Sequence, residues 1–213
     1  TRFSDDLLWL PYVTAEYVSV TGDSSILSES IPFLKGETLR PEEMERYTQF
    51  ETTSKDFSLY EHCRRALEKG TTTGVHGLPL MGGGDWNDGM NRVGMDGRGE
   101  SIWLGWFLHT TLTRFAALAE LMTDDPEFYL HQAEKLSQAL EAHAWDGDWY
   151  LRAFYDDGSP LGSRENMECQ IDSIAQSWAV LSGAADPARA MQAMEAVNSR
   201  LVKQAEQMIL LFT

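Results

Sequence analysis

Along most of this chain apolar residues return every third or fourth position, a period that fits helices and cannot line one face of a strand. Leu104, Leu108, Leu112, Phe115, Ala119 and Met122 make one stripe, and Tyr129, Ala133, Leu136 and Leu140 make another. Both read as core faces. Two helix starts carry Asp before Pro, at Asp125-Pro126 and Asp186-Pro187, the second continuing through Ala190, Met194, Val197 and Leu201. The Asp caps free amides and the proline lacks an amide that the first turn would leave unpaired. Helices are also expected over residues 5–20, 55–69 and 172–183, for a total of about seven. The one strand-like piece, Trp149 to Tyr155, alternates and then turns at Asp156-Asp157-Gly158, which predicts a short hairpin flanking the cleft. The class is mainly α, with long loops and a short β-hairpin.

Between these helices lie polar connections near residues 22–54 and 70–100, longer than ordinary loops and of the kind that carries function. The second holds Gly82-Gly83-Gly84-Asp85-Trp86-Asn87-Asp88-Gly89. Three glycines let the backbone approach a ligand or turn through positive φ. A carboxylic acid can protonate a glycosidic oxygen, an indole can lie on the apolar face of a pyranose, and an amide can bond its hydroxyls. Asp, Asn and Gly also dominate plain turns, and Trp86 alone could plug a core, so the turn chemistry by itself leaves both readings open.

Other chemistries fit poorly. A calcium loop fails because Gly89 stands where the third ligand belongs after Asp85 and Asn87, and a dinucleotide fingerprint fails because Asn87 stands where its third glycine belongs. The five histidines offer no zinc spacing, so no metal is assigned, and Cys63 and Cys169 read as free thiols suited to a reducing cytoplasm. A net charge of −16 argues against nucleic acid as a partner. No apolar run reaches the roughly 20 residues that cross a bilayer, and no signal-peptide pattern is present.

The run Gly77-Leu78-Pro79-Leu80-Met81 through Gly94, with Gly97-Arg98-Gly99-Glu100-Ser101-Ile102-Trp103-Leu104-Gly105-Trp106-Phe107-Leu108, is similar to glycoside hydrolase family 94, a family of inverting β-glucoside phosphorylases. Within it, Arg2 to Tyr12 and Glu168 to Trp178 most resemble a branch acting on cyclic β-1,2-glucans. The resemblance touches nearly the whole chain. It implies an (α/α)₆ toroid of which residues 1–213 are a fragment, truncated at both ends and inactive in isolation. In that setting Trp103, Trp106 and Trp178 either pack against helices outside the fragment or are ordinary core.

The resemblance makes Asp88 the general acid, with Trp86 and Asn87 lining the site and Asp85 as supporting structure. It lets Arg2, Asp5 and Asp6, and also Arg164, Glu165 and Asn166, hold sugar hydroxyls. Asp5 and Asp6 equally suit the first turn of a helix, Glu165 and Glu168 a solvated loop edge, and Arg98 and Glu100 bridges between loops. Asp88 must stay protonated near neutrality, which burial against Trp86 and the neighbouring Asp85 would favour. No cofactor is implied, only inorganic phosphate as co-substrate beside a β-glucan oligosaccharide, in a cytoplasmic parent chain that could attach to the inner membrane. One departure stands out, since Asp172 occupies the position of the family's phosphate-binding His, and an anion there would repel phosphate. The alternatives are therefore an inverting hydrolase whose water is activated by Asp6, Glu165 or Asp172, and a glucan-binding module without turnover.

Overall fold

The computed structural model describes residues 1–40 and 43–213. In chain order it contains α1 (Asp6–Thr21), β1 (Ser30–Lys35), β2 (Glu51–Ser58), α2 (Leu59–Gly70), β3 (Glu100–Ser101), α3 (Ile102–Leu121), α4 (Pro126–His143), β4 (Ala153–Phe154), β5 (Pro160–Leu161), α5 (Ser173–Ser182), α6 (Pro187–Arg200), β6 (Val202–Lys203) and β7 (Met208–Ile209). The fold is mainly helical with small antiparallel sheets. Among the described residues no helix is long and apolar enough to cross a membrane.

Helix α3 is apolar on nearly every side, which is the pattern of a helix surrounded by others. It packs against α1, α4 and α5, with Trp103, Trp106, Phe107, Leu112 and Phe115 buried between them. Gly105 makes the closest approach possible, because a Cβ there would lie 2.9 Å from Leu140 of α4. Trp103 and Trp106 thus belong to the chain's own core, and the half-buried Trp178 meets Phe107 edge-on at 5.2 Å.

Both expected Asp-Pro starts are present. Asp125 accepts from the Glu127 amide, and Asp186 accepts from the amides of Ala188 and Arg189. Cys63 is buried against Thr14, Cys169 is half-buried, and neither is in a disulfide. Burial pushes both thiols up to about 11.

The structure corrects the expected elements in two places. Residues 55–58 are the end of a strand, not the start of a helix, because Glu51–Ser58 pairs antiparallel with Ser30–Lys35 and Ser58 then caps α2 by accepting from the Glu61 amide. The polar alternation of Thr52-Thr53-Ser54-Lys55-Asp56 gave no buried face to recognise, since this hairpin is largely exposed. Six α-helices, not about seven, occupy the described residues. Pro41 and Glu42, inside the connection expected over 22–54, lie outside them. The predicted hairpin is present as β4 and β5, joined by Gly158 at φ +83°, and β3 adds a third strand on its other edge.

Near the start of α2, Glu61 receives Arg64 at 2.8 Å and Arg65 at 2.6 Å, and the Arg64 pairing foremost holds its carboxyl down at about 2. A depressed carboxylate stabilises the fold above its unfolded pKa and loses that contribution as pH falls through the folded value. Glu61→Gln should lower the unfolding free energy modestly at pH 6, by less than about 1 kcal/mol for so exposed a cluster. The gap between wild type and variant should close as pH falls from about 4.5 toward about 2 in a thermal melt series.

Candidate active site

Main-chain pairing brings two distant motifs together. The Gly83 amide donates to the Arg2 carbonyl at 2.9 Å, the Ser4 amide donates to the Gly84 carbonyl at 2.9 Å, and Phe3 bridges Gly82. Gly82, at φ +62°, has no room for a side chain, because a Cβ would lie 2.6 Å from the Arg2 carbonyl oxygen. The segment holding Arg2, Asp5 and Asp6 therefore lies alongside the loop that carries Asp85 to Asp88. Upstream, Met81 and Ser101 donate across to Gly99 and Pro79, which ties the loop's base to β3.

Within the loop the two aspartates part ways. Asp85 is fully buried, receiving the Arg152 guanidinium at 2.7 Å on Oδ1 and the Ser101 hydroxyl at 2.7 Å on Oδ2. It is supporting structure, as expected. Arg152, itself fully buried, also reaches Ser101 Oγ at 3.3 Å and stands 3.4 Å from Asp172 Oδ2. Burial works against its charge, but Asp85 and then Asp172 outweigh it and hold the guanidinium above its ordinary value.

Asp88 opens a short 3₁₀ turn over Asp88–Met90 and is exposed, while Trp86 is 37% exposed. The expected burial of Asp88 against Trp86 and Asp85 is corrected, because Arg152 draws the Asp85 carboxylate inward and the turn carries Asp88 outward. Burial is instead found at Asp5, where it raises the carboxyl above the usual range against the opposing hydrogen bond from the Trp9 indole at 2.8 Å. Asn87 accepts from the Gly89 amide at 3.0 Å, which engages its side-chain oxygen in the turn.

Beside this loop lies a cavity of about 640 Å³, large enough for a hexose, lined by Arg2, Phe3, Phe50, Lys69, Thr72 and Gly82 among others. Asp88 does not line it. Gly84 packs between the Phe3 ring, which lines the cavity, and the Asp88 backbone, each 3.4 Å or less from where a Cβ would stand. Arg2 donates to the Arg40 carbonyl at 2.7 Å, and the exposed Asp6 accepts from the Thr1 hydroxyl.

Arg164 and Glu165 are exposed, and the Arg164 guanidinium stands 3.8 Å from Asp148. Asn166 accepts from the Ser163 amide and donates to the Pro160 carbonyl, so its amide builds the loop after β5. Among the described residues no hydrogen bond or ion pair joins these three to Asp88 or to Arg2, Asp5 and Asp6.

Asp172 also departs from expectation. It is 1% exposed, caps α5 by accepting from the amides of Ile174 and Ala175, and faces Arg152. Burial raises its carboxyl, against the pull of Arg152 and those amides. A side chain so enclosed is poorly placed to activate a water, the role the hydrolase alternative gave it, and its charge faces Arg152.

The sequence alone does not mark Arg152 or Ser101 as loop supports, and it marks Glu100 only as a bridge between loops. Glu100, fully buried, accepts from the amides of His76 and Leu78 and from the His76 ring. Arg98 donates through its amide and side chain to Asp156. The available signal was Arg152 itself, a charge inside the aromatic run Trp149-Tyr150-Leu151-Arg152-Ala153-Phe154-Tyr155, where burial demands a partner.

Comparison with known proteins finds that residues 1–212 match the catalytic-domain model of the glycosyl hydrolase 94 superfamily. Over its full length the chain is 48% identical to cyclic beta-(1,2)-glucan synthase NdvB of Rhizobium meliloti (strain 1021), covering 8% of that protein. It is 34% identical over 93% of its length to solabiose phosphorylase of Paenibacillus borealis, covering 24% of it. A similar match, 31% identical over 93% of the chain and 23% of the relative, is N,N'-diacetylchitobiose phosphorylase of Vibrio proteolyticus. The chain thus spans a quarter or less of the relatives it matches.

Removing Arg152 leaves two buried carboxylates without their cation. Arg152→Met should lower unfolding free energy by about 3–5 kcal/mol in urea titration. Asp172→Asn keeps the helix cap, removes the surplus negative charge and should cost no more than about 1 kcal/mol in the same titration.

Proposed function

This chain belongs to the glycosyl hydrolase 94 superfamily, within its catalytic domain, and from that premise we propose that it serves inverting phosphorolysis of a β-glucoside, a β-1,2-linked glucan above all. Asp88 is the general acid of this reading. It gives its proton to the glycosidic oxygen as the bond to the anomeric carbon breaks, and an oxygen of inorganic phosphate attacks that carbon from the opposite face. The products are α-glucose 1-phosphate and a glucan shortened by one residue. Phosphate arrives as an anion, so no second carboxylate is needed to activate water.

The observation that carries the reading is the placement of the glycine loop. Arg152 and Ser101 fix Asp85 in the core, and the Ser4–Gly84 pairing lays the loop that carries Asp88 alongside the segment that carries Arg2, Asp5 and Asp6. Trp86 offers a half-open indole face for the sugar ring, and Arg2 a cation at the neighbouring cavity. Asp6, Asn87, Arg164, Glu165 and Asn166 complete the sugar contacts of this proposal.

In this proposal further segments of the parent protein close the helices into an (α/α)₆ ring, enclose Asp88 and supply the ligands that take phosphate in place of the family's His. In this proposal the reaction tunes glucan chain length, in a cytoplasmic domain of a parent attached to the inner membrane.

Incubating the parent protein with β-1,2-glucooligosaccharide should yield glucose 1-phosphate only when phosphate is supplied. Free glucose released at the same rate without phosphate would establish a hydrolase, and tight glucan binding with no product would establish a binding module. Asp88→Asn is nearly isosteric and should lower kcat by about 10²–10⁴-fold while the thermal melt stays unchanged.

A further inference from the structure

Arg152 touches nothing expected to meet sugar, yet a line of hydrogen bonds runs from it to the turn that carries Asp88. Arg152 donates to Asp85 Oδ1 at 2.7 Å, the same oxygen accepts from the Asn87 amide at 3.2 Å, and Asn87 Oδ1 accepts from the Gly89 amide at 3.0 Å. Asp88 sits between the last two partners. A glycine-rich loop has wide conformational freedom, and the buried Asp85 is its side-chain anchor to the core.

The other arms of the guanidinium hold what must not move. One reaches Ser101, which caps α3 by accepting from the Leu104 amide, and Nε faces Asp172, which caps α5. Gly162, at φ +83°, leaves the space this requires, because a Cβ there would lie 2.6 Å from the Arg152 amide nitrogen. Two helix starts and the loop therefore share one rigid cation, whose planar fork a lysine cannot reproduce.

We propose that Arg152 is a positioning residue for the acid step: through Asp85 it sets the direction in which Asp88 presents its carboxyl to the glycosidic oxygen. This rests on the reading of Asp88 as general acid. A reacting group misplaced by about 1 Å can cost 10²-fold in rate, so loosening the anchor acts on kcat and spares sugar binding.

The test uses the parent protein with phosphate and two substrates. One is β-1,2-glucan, whose leaving alcohol needs a proton, and the other is 2,4-dinitrophenyl β-glucoside, whose phenolate departs without one. Asp88→Asn should lose most of its activity on glucan and keep most of it on the aryl glucoside, which calibrates the acid role. Arg152→Lys and Asp85→Asn should lower kcat on glucan by about 100-fold, leave KM for glucan unchanged, and leave turnover of the aryl glucoside unchanged.

Equal losses on both substrates for Arg152→Lys and Asp85→Asn would make the network merely structural and overturn the proposal, with the acid role of Asp88 intact. Absence of any leaving-group dependence in Asp88→Asn would instead overturn the acid reading, and this proposal with it. Asp85→Asn is isosteric and leaves Arg152 facing Asp172, so it is the variant expected to fold if Arg152→Lys does not. Failure of both to give a cooperative melt would show a folding element and also overturn the proposal.

Discussion

A guanidinium sealed from solvent between two carboxylates organises this molecule. Arg152 meets Asp85 and Asp172 where none of the three is more than 1% exposed, so none can turn to water for compensation. Buried ion pairs are weak sources of net stability, because removing charges from water costs several kcal/mol per ion. They are demanding in geometry, however. Any arrangement of the glycine loop, the β4 strand and the α5 start that separated these groups would strand a charge in the interior, and that penalty selects one arrangement over its neighbours.

The arrangement divides two aspartates three residues apart into different occupations. Asp85 is bound on both oxygens and holds the loop, whereas Asp88 is exposed and left without a side-chain partner among the described residues. A similar division occurs on the facing segment, where Asp5 is buried under the Trp9 indole and Asp6 is exposed. In each pair one carboxylate is buried and hydrogen-bonded, and the other faces outward. This is the physical content of the glycine-flanked motif.

Much of this was legible in the sequence, for identifiable reasons. The α3 and α4 stripes and the Asp-Pro caps at 125 and 186 are local signals, decided by residues within a few positions of one another, and the structure has them where they were expected. The β1–β2 hairpin was missed because its faces are mostly exposed, which leaves no apolar alternation to detect. The burial expected at Asp88 went to Asp85 and Asp5, because it depends on Arg152, 67 residues from Asp85 in sequence. The surroundings of Asp172 depend on the fold in the same way. As a residue in a row it was an anion near a phosphate site, and only the fold shows it enclosed with a cation and capping a helix.

Helix α3 carries one more consequence, for the order of events during synthesis on the ribosome. Its apolar surface is covered by α1, translated before it, and by α4 and α5, translated after it. From the emergence of Leu121 until Ser182 has cleared the exit tunnel, part of that surface has no cover, and uncovered apolar surface of this kind invites association with other nascent chains. Folding here is thus tied to the completion of translation through α5, and a chaperone engaged with residues 102–121 would be best placed to bridge the interval.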